Sequence, residues 1–130
     1  MPSYPLPAFD HYWAMWNETD PGRIRSHLDR AVSEDVEFCD PLHWHFGKDA
    51  LEANVRQFRS DQPDAVFVLV SGFDHHNNRY RYRWDFTRRG RTLLEGLDIT
   101  TVNDDGLIMR IDGFFGDLPA AGGGSEKPAG

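Results

Sequence analysis

Two aspartates stand where a carboxylate is unusual. Asp40 closes the run Val36-Glu37-Phe38-Cys39-Asp40, immediately before Pro41. Side chains alternate along a strand, so Val36, Phe38 and Asp40 share one side and Glu37 and Cys39 the other. A carboxylate on an otherwise apolar side is placed to act as a general base. An Asp before Pro equally suits a plain turn that ends a strand. Asp98 sits in Gly96-Leu97-Asp98-Ile99-Thr100-Thr101-Val102, and Asp is disfavoured inside strands. It implies a specific partner or a solvated face, the latter being the simpler reading. Alternation does not decide, because Leu94 and Val102 share its parity while Leu97 and Ile99 have the other.

Tyr12 belongs to a helical aromatic face made by Phe9, Tyr12, Trp13 and Trp16. That spacing reads first as core, but a buried tyrosine hydroxyl seeks a partner and could donate to a substrate oxygen. His43-Trp44-His45 follow Asp40 closely, and His75-His76 flank a turn. Their spacing matches no compact zinc pattern, so no metal is expected, and His43 and Trp44 read as the rim of a pocket. His11 and His27 read as surface or helix-packing residues. Tyr80, Tyr82, Trp84 and Phe86 alternate with Arg79, Arg81, Arg83 and Asp85, which predicts one aromatic inner face and one charged outer face. Cys39 has no activating partner in sequence and reads as a small buried side chain.

Helices and strands must hold these groups in place. Aromatic spacing predicts a helix over 9–18, and Asp20-Pro21 a capped restart over 21–34. A short strand is expected over 36–40, and a third helix over 48–60 with Leu51, Val55 and Phe58 inward. The pattern then changes to strands at 65–74, 79–88, 92–103 and 107–115. Asn77-Asn78, Arg89-Gly90 and Asp104-Asp105-Gly106 supply the turns. Helices first and strands later predict an α+β fold: a cone-shaped, curved, mostly antiparallel sheet wrapped around the N-terminal helices and enclosing one pocket. Residues 1–8, with three prolines, read as an extended lead-in. Residues 9–117 make the domain, and 118–130 a loose Gly/Ala/Pro tail.

The chain has 130 residues, enough for one core, and a net charge of −7. That charge disfavours a nucleic-acid partner, which needs a basic footprint. A single cysteine excludes an internal disulfide, no apolar run is long enough to span a membrane, and the first ten residues lack signal-peptide features. A soluble cytoplasmic protein is expected.

Three segments together resemble the nuclear-transport-factor-2-like superfamily, which includes SnoaL-like cyclases and ketosteroid isomerases. They are YWAMWNETD, VEFCDPLHWHFGKDALEAN with its strand-closing Asp-Pro, and EGLDITTVNDDGLIMRIDGFFG. The resemblance covers roughly Phe9 to Gly116. The likeness to ketosteroid isomerases implies a general base at Asp40, and an oxyanion hole formed by Tyr12 and a protonated Asp98. It also implies a homodimer and no cofactor. The expected function is therefore proton transfer on a small apolar or aromatic carbonyl metabolite, with Trp13, Trp16, His43, Trp44 and Trp84 binding it. A SnoaL-like cyclase, dehydratase or epoxide hydrolase would use the same pocket. An epoxide hydrolase would add an inward Arg between two carboxylates. A non-catalytic binding domain would leave Asp98 free to face solvent.

Overall fold

The computed structural model describes residues 4–122. Helix α1 (Pro7–Trp16) opens with a proline in its first turn, where a missing N–H costs nothing. It starts two residues before the expected boundary, so the lead-in is shorter than predicted. Asp20 caps α2 (Pro21–Ala31), its carboxylate accepting from Gly22 N at 2.9 Å. This helix ends three residues before the expected Glu34. Val32 turns to extended backbone and begins β1 (Val32–Cys39), paired with the last strand. A buried β-branched residue beside an open strand edge overrides local helix propensity.

After β1 come β2 (Trp44–Phe46), α3 (Lys48–Asp61), β3 (Ala65–Leu69), β4 (Asp74–His76), β5 (Arg79–Arg88), β6 (Arg91–Val102) and β7 (Ile108–Phe115). The expected strand 65–74 is thus two short strands lying along the same edge of β5. Between them Val70 N still bonds Arg83 O. The Ser71 hydroxyl then accepts from Arg83 N at 2.7 Å, and the regular ladder stops. β5, β6 and β7 form the expected antiparallel meander. Arg89 and Gly90 both have positive φ between β5 and β6, as the tightest hairpin turns require.

The sheet runs β2-β1-β7-β6-β5-β3, with β1 and β7 parallel and other pairs antiparallel. It is curved and unclosed, and the three helices complete an α+β fold. Tyr82 and Trp84 point inward and Arg79, Arg81 and Arg83 outward, as alternation predicts. On β6 the inward set is Gly96, Asp98, Thr100 and Val102.

The core between α1 and the sheet is a continuous lattice of rings. Phe9 packs on Tyr80 and Tyr82, Trp13 on Phe67 and Trp84, and Trp16 on Phe38, Phe58 and Phe67. Trp13 Nε1 donates to the Tyr82 hydroxyl at 2.9 Å. Two polar clamps fix α1 against β3. The Asn17 amide exchanges two hydrogen bonds with Phe67 backbone, at 2.8 and 3.0 Å. The buried Arg59 guanidinium donates to the carbonyls of Trp16, Pro63 and Ala65. These three bonds offset part of the cost of burying the cation, although its buried Nε has no partner.

Cys39 is half-buried rather than buried, because its parity on β1 puts it on the outer face with Glu37. Partial burial, then the carboxylates of Asp112, Asp40 and Glu37, push its thiol pKa up, away from reactivity. Residues 118–122 have no regular structure apart from a turn, and 123–130 of the expected tail lie outside the described residues. Among the described residues no helix is long and apolar enough to cross a membrane.

Candidate active site

Inside the curve of the sheet lies a cavity of about 130 Å³. Tyr12, Asp40 and Asp98 all line it, together with Trp13, Trp16, His43 and Trp84. Helix α1 supplies Tyr12, Trp13 and Trp16; β5 supplies Trp84, and β6 supplies Asp98. Asp40 follows the last residue of β1.

Asp40 also makes the turn that the simpler reading expected. Its Oδ1 accepts from Leu42 N at 2.9 Å and His43 N at 2.8 Å, and lies 3.3 Å from His43 Nδ1. These contacts fix the carboxylate and leave Oδ2 as the oxygen with capacity to take a proton. The turn and the cavity role are therefore compatible. Asp40 and Asp98 are neighbours across Gly113 of β7. A side chain at Gly113 would start 3.2 Å from both Asp40 Cβ and Asp98 Oδ1. The bare backbone there lets the two acids approach.

Asp98 is 4% exposed, which settles the direction that alternation left open. Burial, opposed in part by Trp84 and Tyr82 and reinforced by Asp40 and Asp112, pushes its carboxyl up to about 7. Below that pH it is a neutral acid able to donate a hydrogen bond. Tyr12 is 2% exposed. Burial first, then the charge of Asp98, raise its pKa, with Trp16 opposing and Asp40 adding to the effect. Its hydroxyl stays a donor.

The folded state holds the Asp98 proton to about 7, whereas the carboxyl otherwise titrates near 3.8. Between these limits the unfolded chain has lost the proton and the folded chain has kept it. Stability contributed by this group therefore falls as pH rises, by up to about 1.4 kcal/mol per pH unit. Urea unfolding of wild type and Asp98→Asn across pH 4 to 7 should diverge, the variant gaining on wild type as pH rises. Parallel curves would contradict the assigned ionisation.

Trp44 is a correction. It is 66% exposed, lies outside the cavity and donates from Nε1 to Glu37 Oε2 at 3.0 Å. The cause is register: Cys39 pairs with Trp44, so Trp44 takes the outer side, and Phe38 pairs with His45, which takes the inner side. His45 stacks on Phe38, and burial and nearby His43 hold its imidazole toward the neutral form. His27 pairs with Glu18 at 2.7 Å, as a helix-packing residue. His75 and His76 lie on exposed β4. Among the described residues no group of three or more His, Cys, Asp or Glu is arranged to hold a metal ion.

Sequence reasoning missed Asn54, which lines the cavity and whose buried Nδ2 has no hydrogen-bond partner. Its position between Leu51 and Phe58 on an inward helix face was the available signal. The other walls are apolar and include Phe38, Phe58, Phe67, Phe86, Leu94 and Phe115. Among the residues lining the cavity there is no arginine, so the Arg-between-carboxylates arrangement of the epoxide-hydrolase reading is not built here.

No protein-family model and no curated protein matches the chain. Solved structures do. A SnoaL-like family protein from Agrobacterium tumefaciens, provisionally named an isomerase, is 29% identical, with a TM-score of 0.79 over 85% of this chain and 96% of that one. A nuclear-transport-factor-2-like protein of unknown function from Exiguobacterium is 19% identical, with a TM-score of 0.70 over 85% and 99%. A protein from Sinorhizobium meliloti, provisionally named a polyketide cyclase, is 15% identical, with a TM-score of 0.67 over 82% and 93%. The last two share the fold.

Proposed function

We propose that this chain, which belongs to the nuclear-transport-factor-2-like superfamily that includes the SnoaL-like proteins, is a proton-transfer enzyme acting on a small apolar carbonyl compound. One observation carries the reading. A fixed carboxylate, Asp40, shares an aromatic cavity with two buried donors, Tyr12 and Asp98, whose ionisation its charge influences.

In the proposed reaction Asp40 Oδ2 removes a proton from the carbon next to the carbonyl. The C–H electron pair becomes the enolate double bond, and the carbonyl π pair moves to oxygen. Tyr12 and neutral Asp98 donate to that oxygen as its charge develops. Asp40 then returns the proton to the same or a conjugated carbon. Walls of Trp and Phe exclude water and strengthen these interactions.

Cavity size bounds the substrate. A dry cavity of about 150 Å³ holds benzene, so about 130 Å³ suits one ring or an acyl chain of similar bulk. A fused multi-ring substrate would need the walls to move. Ring closure of the aldol type begins with the same enolate, and the contact between Asp40 and His43 favours it as a second reading, with His43 carrying the proton.

The test uses 3-cyclohexen-1-one as a one-ring probe in deuterated buffer, followed by proton NMR. Conversion to the conjugated isomer, faster than in buffer alone and with less deuterium uptake per turnover than the buffer reaction shows, is the expected result. A rate equal to buffer would overturn the proposal.

A further inference from the structure

Trp84 is the unexplained neighbour of the buried acid. It stands on β5 opposite Gly96 of β6, and Asp98 lies two residues along on the same inward face. A side chain at Gly96 would collide with Trp84 Cζ2, Cε2 and Cη2. Gly96 has no positive φ, so its backbone does not call for glycine. What its hydrogen side chain provides is room for the indole to lie directly on the strand.

The ring is then held from other sides by Trp13, Phe67 and Phe115, with centroids 6.0, 5.5 and 6.1 Å away. Its Nε1 is buried and makes no well-aligned hydrogen bond, yet it lies near enough to Asp98 to favour the charged carboxylate. An unmade bond on a buried N–H is costly unless a partner is within small adjustments. Asp98 is the acceptor at hand.

We propose that Trp84, seated by Gly96, is a positioning residue for Asp98: its indole N–H holds one carboxyl oxygen as acceptor, so that the acid proton sits on the other oxygen. The inference rests on the proton-transfer reading above. A neutral carboxyl has one donor oxygen and one acceptor oxygen, and an indole can only donate. Bonding to Trp84 therefore selects which oxygen carries the proton. The Tyr82 hydroxyl, which accepts from Trp13, likewise favours the charged form of Asp98. Without that selection the O–H would be free to rotate away from the substrate oxygen.

The groups that bear on Asp98 are Tyr12 from α1, Tyr82 and Trp84 from β5, Asp40 after β1, and Asp112 from β7. Of these, Trp84 and Tyr82 favour the carboxylate, and removing the Trp84 N–H moves the Asp98 midpoint upward.

The experiment replaces Trp84 with its benzothiophene isostere, which keeps the shape and lacks the N–H. Gly96→Ala, which displaces the ring, is the second variant. Carboxyl carbon NMR, assigned with Asp98→Asn, reads the Asp98 midpoint in each, and 3-cyclohexen-1-one turnover reads the alkaline limb. In both variants the midpoint and the limb should move to higher pH, while plateau turnover falls about tenfold. A midpoint that stays or moves down in the isostere overturns the positioning role, even if turnover drops. The NMR titration decides this without catalysis. Wild type that ignores the probe while the isostere still shifts Asp98 would sink the proposed reaction and leave the positioning role standing.

Discussion

Asp40→Asn is expected to cut proton-transfer turnover by about 100- to 10,000-fold, the range a positioned general base supplies, while leaving the fold intact. The amide oxygen can still accept from Leu42 N and His43 N, so the turn after β1 survives. What disappears is the basic oxygen. The substitution also removes a negative charge beside Asp98 and Tyr12, both of which its field perturbs. Thermal unfolding and turnover of 3-cyclohexen-1-one, measured on one preparation, separate the two effects. A variant as active as wild type would show that Asp40 serves only the turn.

The next largest losses are expected at the oxygen-binding end. Tyr12→Phe and Asp98→Ala should each lower turnover by about 100- to 1,000-fold, as loss of one oxyanion donor does. Both donors serve a single oxygen, so the double variant should lose less than the product of the two. Asp98→Asn keeps an amide donor and should lose less than Asp98→Ala. Wild-type activity should also fall above about pH 7, because Asp98 then becomes an anion facing the enolate. Asp98→Asn should lack that limb. Turnover that rises through pH 7 in wild type would contradict a neutral Asp98 donor.

How far the sequence reaches depends on the element. The inward face of β5 was legible because Tyr82 and Trp84 alternate with arginines, and charge is excluded from the interior. β6 was not, because both of its faces carry apolar residues. Leu97 and Ile99 lie on the outer side, so parity alone could not orient Asp98. The reversal of Trp44 and His45 has a different cause. Three-residue β2 is too short to show a period, and its facing is dictated by pairing with β1. Gly96 and Gly113 carry no side chain to pattern, so the sequence does not reveal their use. Their meaning, space for Trp84 and for the approach of two acids, exists only once the strands are side by side. Residue type and spacing singled out Tyr12, Asp40 and Asp98, and family likeness joined them into one set of roles; their common cavity is a property of the folded chain.

The central claim is that one cavity stabilises an anion on oxygen opposite a base that has become neutral. Asp40→Asn mimics that state of the base, and 4-nitrophenol supplies a planar ring whose oxygen is coloured only when ionised. Absorbance titration of Asp40→Asn with 4-nitrophenol near pH 6 should show bound phenolate, held more tightly than by wild type, and lost in Asp40→Asn with Tyr12→Phe. Binding of the colourless neutral phenol alone, or phenolate binding indifferent to Tyr12, would contradict the account.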